Sequence, residues 1–452
     1  MSSPLKVLVI GSGGREHALC WKIAASPLVG EVLCAPGNAG TQSVARSVDV
    51  PATDLDGLAR LCAGEKPGLV VVGPEDPLSL GLADRLRAAG TLVFGPGRAG
   101  ARLEGSKVFA KEFLDRHRIP TGAWRRFERS GAAKSYLESQ SLWPLVIKAD
   151  GLCAGKGVFV VDDAREGCSV VDALMEEKRL GEAGREIVIE EFISGRELSV
   201  QLLTDGATLC LLEPVMDYKQ VSDGDSGPNT GGMGIVSPVS FVTQRLMRQI
   251  ELRVLVPALH GLRVEGIAYR GVLYVGLMIT EAGPRVLEFN CRFGDPETQA
   301  IVRRMRSDLV PYLLAVARGE LEKEQPPEWD ERTCVGVVAA AQGYPGDYEK
   351  GHVIQGLAEA GLVADALVFQ AGTKSDRGQV LTNGGRVLCV TALGLDVHVA
   401  RESAYRALDL VHWSGKFARR DIGLPRSARP SGTDTQAGLE SFGVFTSGQS
   451  SR

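Results

Sequence analysis

The segment VLEFNCRFGDPE, residues 286–297, reads as a strand whose alternation puts Glu288, Asn290 and Arg292 on one face and Leu287, Phe289 and Cys291 on the other. A carboxylate and a carboxamide oxygen side by side are hard donors suited to a magnesium ion bridging nucleotide phosphates. Arg292 then stands where it stabilises charge in a phosphoryl transition state. Taken alone, such a face is also what a solvated antiparallel strand presents. Two glycine-rich segments elsewhere in the chain tip the reading toward the metal.

The first, Gly151-Leu152-Cys153-Ala154-Gly155-Lys156-Gly157, fails as a P-loop: Asp150 stands where the first glycine belongs, and Gly157 where Ser or Thr should follow the lysine. It leads into the run VFVV rather than a helix, so it predicts a flexible strand-to-strand flap. A flap can fold over a triphosphate, lending backbone N–H donors and the Lys156 charge while excluding water. Lys148, on the preceding strand, adds a second cation. The other segment, Gly11-Ser12-Gly13-Gly14-Arg15-Glu16, follows a strand and opens a helix, where backbone N–H groups hold phosphate. Glu16 occupies the third glycine position of the dinucleotide fingerprint, and no acid ends the second strand, so a phosphate monoester is favoured over a dinucleotide. The alternative is a tight turn that binds nothing.

The elements that must carry these residues fall into blocks. From Lys6 to Gly97, apolar runs (VLVI, VLCA, LVVV, TLVF) alternate with helical stretches and predict parallel βα units in a doubly wound sheet, with polar or Gly/Pro turns at the strand ends. Leu103 to Pro120 predicts a connecting helix, followed by a small mixed unit with strands at 144–150, 158–163 and 186–192. A polar loop at 217–234 and a long helix near 243–263 interrupt further strands, and Thr333 to Gly423 reads as a small β-rich domain. The expected division is 1–105, 106–328 with a small lobe at about 122–192, 329–424, and a Ser/Gly/Thr-rich, disordered tail at 425–452. The fold class is α/β and α+β.

Composition excludes some partners. A net charge of -4 with no long basic run gives no electrostatic footprint for nucleic acid. No apolar run approaches the roughly 18 residues of a membrane span, and the amino terminus lacks a secretory pattern. Nine cysteines without a C-x-x-C pair argue for a reducing compartment and against a structural zinc site, and the expected location is the cytosol.

In order along the chain, GSGGREHAL, PGNAGT, VVVGPE, KADGLCAGKG, GPNTGGMG, LEFNCRFGDPE, GYPGDY and RRDIG resemble the phosphoribosylamine–glycine ligase family of the ATP-grasp superfamily over about residues 5 to 423. The set also resembles the amino-terminal module of the animal multifunctional purine enzyme. The resemblance implies a preATP-grasp domain, a two-lobed ATP-grasp domain and a small carboxy-terminal domain. It implies that Lys107 and Lys148 contact ATP phosphates under the flap of Gly151, Gly155, Lys156 and Gly157. By the same likeness Glu190, Glu191, Phe192 and Ile193 hold adenine, Glu197 the ribose, and Glu288 and Asn290 a Mg2+ or Mn2+ ion. Arg292, Lys148 and Asp295 become the catalytic candidates. Gly11, Gly13, Gly14, Arg15 and Glu16, with Asn229, Thr230, Gly231 and Asp295, become the pocket for 5-phosphoribosylamine and glycine. The implied reaction makes glycinamide ribonucleotide, ADP and phosphate through glycyl phosphate in purine biosynthesis, and association with other purine-pathway enzymes stays open.

One segment departs from the family, which usually reads Q-D-H-K-R where this chain has Met216-Asp217-Tyr218-Lys219-Gln220. If that loop clamps an anionic substrate, the lost arginine lowers affinity or rate. Two rivals remain: another ATP-grasp enzyme, which would not share GPNTGGMG or GSGGREHAL, and a silent nucleotide-binding protein.

Overall fold

The structure, a computed structural model, describes residues 4–153 and 157–425. Five parallel strands, β1 (Leu5–Gly11), β2 (Val29–Pro36), β3 (Arg46–Ser47), β4 (Leu69–Val72) and β5 (Val93–Phe94), form a sheet in the order β3-β2-β1-β4-β5. The central strands are continuous Val, Leu and Ile because both faces are covered. Leu8, Ile10 and Val70 enter one core, and Val7, Val9 and Val71 enter another. Their carboxyl ends share one side of the sheet, where ligands of such sheets sit.

Where the sequence predicted one connecting helix, the structure has two, Arg98–Gly105 and Lys107–Arg116. The break is a cap. Ser106 Oγ accepts the Phe109 N–H at 3.0 Å, and Asp150 Oδ1 accepts the Val108 N–H at 2.9 Å. Lys107 is thereby set in a first helical turn, within reach of Glu288.

The small lobe is an antiparallel sheet in the order β6-β9-β7-β8, from β6 (Trp124–Phe127), β7 (Leu145–Ala149), β8 (Val158–Val161) and β9 (Ile187–Glu191). β7 and β8 pair as a hairpin, so the glycine segment does run from strand to strand. Beyond it, β10 (Arg196–Thr204) is flanked by β11 (Leu209–Leu211) and by Gly271–Thr280, which in turn pairs with Gly283–Asn290. The predicted long helix is Gln244–Ile250 and Val256–Val264, joined through a π turn, with Ile250, Val254, Ala258 and Leu262 in the core.

The last large sheet differs from the sequence division. It runs Met216–Asp217, Gly234–Ser237, Thr333–Ala341, Arg386–Gly394, Ala366–Gln370, antiparallel throughout. Its first two strands come from residues assigned to the central domain. Strands this short carry too little periodicity to be read beside a polar loop. The loop at 217–234 therefore hangs from the carboxy-terminal sheet and reaches back into the cleft. The tail beyond residue 425 lies outside the described residues.

Candidate active site

Glu288, Asn290 and Arg292 all open into one cleft of about 810 Å³, lined from every block of the chain. Phe289 and Cys291 point the other way, into the core, as alternation requires. Leu287, expected with them, lines the cleft because the pairing with Gly271–Thr280 slips between Gly276 and Leu277.

Glu288 is surrounded but not closed up. Lys107 Nζ stands 3.5 Å from one carboxylate oxygen and Lys219 Nζ 3.9 Å from the other. Burial pushes the Glu288 carboxyl up, but the charges of Lys107, Lys219 and Lys148 outweigh it and hold the group far below the usual carboxylate range. Lys107 and Lys219 are held above the lysine range despite burial, by Glu288 on the first and by Glu197 and Glu288 on the second. Arg292 is fixed from both sides: its Nε donates to Glu75 at 2.9 Å and its Nη2 lies 2.7 Å from Glu104. Burial opposes ionisation of Glu75, yet Arg292 and Arg15 bring it down to about 2. The same Nη2 is 3.4 Å from Asn290 Oδ1, so the guanidinium borders the two oxygen donors. Among the described residues no group of three His, Cys, Asp or Glu side chains could hold an ion unaided. Two oxygen donors fit a magnesium ion that takes its remaining ligands from phosphates and water.

Toward the small lobe, Lys148 Nζ donates to Leu287 O at 3.0 Å and pairs with Glu190 at 3.0 Å. Lys111 Nζ holds the other Glu190 oxygen at 2.6 Å. Burial pulls Lys111 down to about 8 against the pull of Glu190, and Glu190 stays below its usual range because the two lysines outweigh its own burial. Glu190, expected to contact adenine, thus has both carboxylate oxygens taken by lysines. The Glu191 carboxylate is taken by Arg285 at 2.5 Å. What this strand end offers a flat ring is backbone, with Phe192, Ile193, Val146 and Met278 around it. Gly151, Gly157 and Glu197 line the same cleft. Gly155 and Lys156 lie outside the described residues.

The amino-terminal turn behaves otherwise. Arg15 lines the cleft, but Gly11, Gly13, Gly14 and Glu16, expected to meet substrate, stand behind it. Glu16 is 1% exposed and folds back on its own turn, where Oε2 accepts the Gly13 N–H at 2.5 Å and Oε1 meets Arg15 Nε at 2.5 Å. This is a capping-box geometry, which a Glu three positions after the cap announces. Gly11, at φ +125°, leaves room for it: a Cβ there would come within 2.6 Å of the Glu16 side chain. The turn cradles a protein carboxylate where a substrate phosphate was expected.

Asp295 lines the cleft with both oxygens engaged, Oδ2 by the Arg15 N–H at 3.2 Å and Oδ1 by Gln299 Nε2 at 2.9 Å. Asn229, Thr230 and Gly231 do face the cleft, and Thr230 Oγ1 donates to Lys219 O at 2.7 Å.

Models of the phosphoribosylglycinamide synthetase N domain, ATP-grasp (A) domain and C domain match residues 5–104, 105–298 and 334–425. The chain belongs to the phosphoribosylglycinamide synthetase family. It is 48% identical over 429 residues to the phosphoribosylamine–glycine ligase of Yersinia pestis, covering 94% of this chain and 100% of that protein. With the Escherichia coli K12 ligase it shares 50% over 423 residues, 93% of this chain and 98% of that one. The crystal structure of the Thermotoga maritima ligase superposes with a TM-score of 0.80 at 37% identity, over 92% of this chain and 100% of that chain. The biotin carboxylase domain of Hydrogenobacter thermophilus 2-oxoglutarate carboxylase, at 17% identity and TM-score 0.71 over 91% of each chain, shares the fold.

Within the family loop that departs from the usual sequence, Tyr218 turns away from the cleft. It is buried in the carboxy-terminal core, its Oη accepts the Gly423 N–H at 3.1 Å, and the Arg419 guanidinium lies 5.1 Å from its ring. Lys219 and Gln220 line the cleft instead. Sequence reading gave no role to Lys219, Lys111, Glu75, Glu104, Tyr344 and Arg386. Lys219, Glu75 and Tyr344 stood in quoted segments, the 216–220 loop, VVVGPE and GYPGDY, but nothing in a motif says which distant charge it will meet.

Proposed function

We propose that this chain ligates glycine to 5-phosphoribosylamine at the expense of ATP, giving glycinamide ribonucleotide, ADP and phosphate, with magnesium as the metal. The observation that carries the reading is the Glu288 and Asn290 oxygen pair bordered by Arg292 and ringed by Lys107, Lys148 and Lys219. Such a cluster suits a triphosphate, whose charge it neutralises, and it contains no Ser, Cys or His. Glu288 and Asn290 would hold the ion, which when bound would add positive charge beside the nucleotide phosphates. Manganese accepts the same donors.

In this reading a glycine carboxylate oxygen attacks the γ-phosphorus and ADP leaves, forming glycyl phosphate. The phosphoribosylamine nitrogen then attacks the acyl carbon, loses a proton, and phosphate departs. Lys107, Lys148 and Arg292 hold the transferring group, and the flap keeps water from the acyl phosphate. Phosphoribosylamine sits at the end formed by Arg15, Asn229, Thr230 and Gly231, with Asp295 fixing the wall. Glu190 positions Lys148 rather than touching adenine.

The test is ADP release by the purified protein with ATP and magnesium, adding glycine and freshly generated phosphoribosylamine separately and together. Release that needs both supports the ligase. Nucleotide binding without turnover in any combination sinks it in favour of a silent binder.

A further inference from the structure

We infer that Tyr344 and Arg386, from the carboxy-terminal block, are positioning residues that clamp the loop at Asn229–Gly232 and so set the affinity for phosphoribosylamine; this rests on the ligase reading above. Gly231 is held at both ends of its own backbone. Its N–H donates to Tyr344 Oη at 3.0 Å, and its carbonyl accepts Arg386 Nη1 at 2.6 Å. The same nitrogen donates to Asp295 O at 2.6 Å, joining the loop to the segment that starts the helix Glu297–Arg304. One guanidinium therefore fixes two walls of the cleft relative to each other.

The space around the clamp is filled. A Cβ on Gly231 would stand 2.8 Å from Arg386 Cζ, and one on Gly232, at φ +116°, 2.5 Å from Pro296 Cδ. Tyr344 is seated in turn by Gly385, the neighbour of Arg386, where a Cβ would come within 2.2 Å of the ring. Asp295 keeps Arg386 charged against the pull of burial. Nη1 serves both carbonyls while Nη2 stands 3.8 Å from Asp295 Oδ1, a two-nitrogen reach that lysine, a point donor, lacks.

The consequence is selective because the rest of the cleft leans on other elements. Lys107 is set by its helix and Lys148 by Glu190 and Leu287 O. Neither depends on Gly231. The cations left at the clamp end are Arg15 and Arg386, which suit a sugar phosphate, whereas Lys107, Lys148 and Lys219 gather around Glu288.

The test uses the full chain with Tyr344→Phe, Arg386→Lys and Arg386→Met. Tyr344→Phe keeps the ring and removes one acceptor, so KM for phosphoribosylamine should rise about five-fold while KM for ATP and glycine stays within about two-fold. Arg386→Met should raise it further, and Arg386→Lys should recover part of the loss. Amide hydrogen exchange in a peptide covering residues 226–234 should quicken in each variant, with residues 187–193 unchanged. Equal rises in all three KM values, or no rise for phosphoribosylamine, overturn the inference. Unchanged exchange at 226–234 overturns the clamp whatever the kinetics, whereas a wild-type chain silent with both substrates overturns the ligase reading itself.

Discussion

Two glutamates in this molecule, Glu16 buried and Glu288 half-buried, sit beside cations and do opposite things. Glu16 is closed at 2.5 Å on both oxygens by partners from its own turn, while Glu288 faces Lys107 and Lys219 at 3.5 and 3.9 Å. The first is a finished structure: a carboxylate on short bonds and only 1% exposed is closed off from the cleft. The second is a charge balance on long contacts, leaving lone pairs and ammonium protons for something that carries both metal and phosphate. Spacing between charges, more than their number, separates the closed glycine turn from the strand proposed to meet the nucleotide.

The sharpest way to break this comparison is to exchange the two roles. Glu288→Gln keeps the shape but removes the charge, and ADP release should fall about a thousand-fold, the several kcal/mol expected of a metal-held phosphate, with little change in unfolding midpoint. Activity within ten-fold of wild type would return that strand to an ordinary polar face. Glu16→Ala should do the reverse. It leaves Arg15 buried without its partner, which costs about 3 kcal/mol of folding stability in a urea titration. A large KM effect with unchanged stability would make the turn a binding site after all.

The legibility of these two regions in sequence follows the same physics. Alternation along one strand is local, so Glu288, Asn290 and Arg292 could be placed on a common face before any fold was known. The strand-to-strand flap and the parallel first sheet were equally legible, since each rests on residues within about one element of one another. Illegible were interactions that only the fold creates: Glu75 and Glu104 reach Arg292 from 217 and, by subtraction of residue numbers, 188 positions away. At the glycine turn the sequence left two readings open, because backbone donors at a helix start look the same whether a phosphate or a neighbouring glutamate takes them. The loop at 217–234 misled because its flanking strands belong to a sheet completed a hundred residues later.

The closed turn should also be visible in pH dependence, through the residue after Glu16. His17 is buried and accepts the Gln370 N–H on Nδ1 at 2.8 Å, and burial brings it down to about 4. Between that value and the ordinary 6.5, the unfolded chain carries a proton that the folded chain excludes. Stability from this group is therefore complete above about pH 6.5 and is lost as the pH falls toward 4, amounting to about 2–3 kcal/mol. Urea midpoints for wild type and His17→Asn at about pH 7.5 and about pH 5 check it, the variant being the flatter of the two. Equal slopes would mean that the turn opens to solvent, and its resemblance to a finished structure would be lost.

The smallest effect bears on the departure from the family sequence. If the loop at 217–220 clamped an anion through its second residue, as the sequence alone allowed, Tyr218 would face the cleft and its replacement would alter KM. Its hydroxyl instead accepts the Gly423 N–H from the end of the chain's last described segment. Tyr218→Phe should therefore cost about 1 kcal/mol of stability, one hydrogen bond's worth, and leave all three KM values unchanged. Gln220→Arg, the reversion at a residue that does line the cleft, should act in the other direction, on substrate affinity and not on stability. A KM change from Tyr218→Phe equal to that from Gln220→Arg would place both side chains at the substrate. Loose charge at Glu288 would then no longer mark the working end of the cleft by itself, because a buried phenol would share its task.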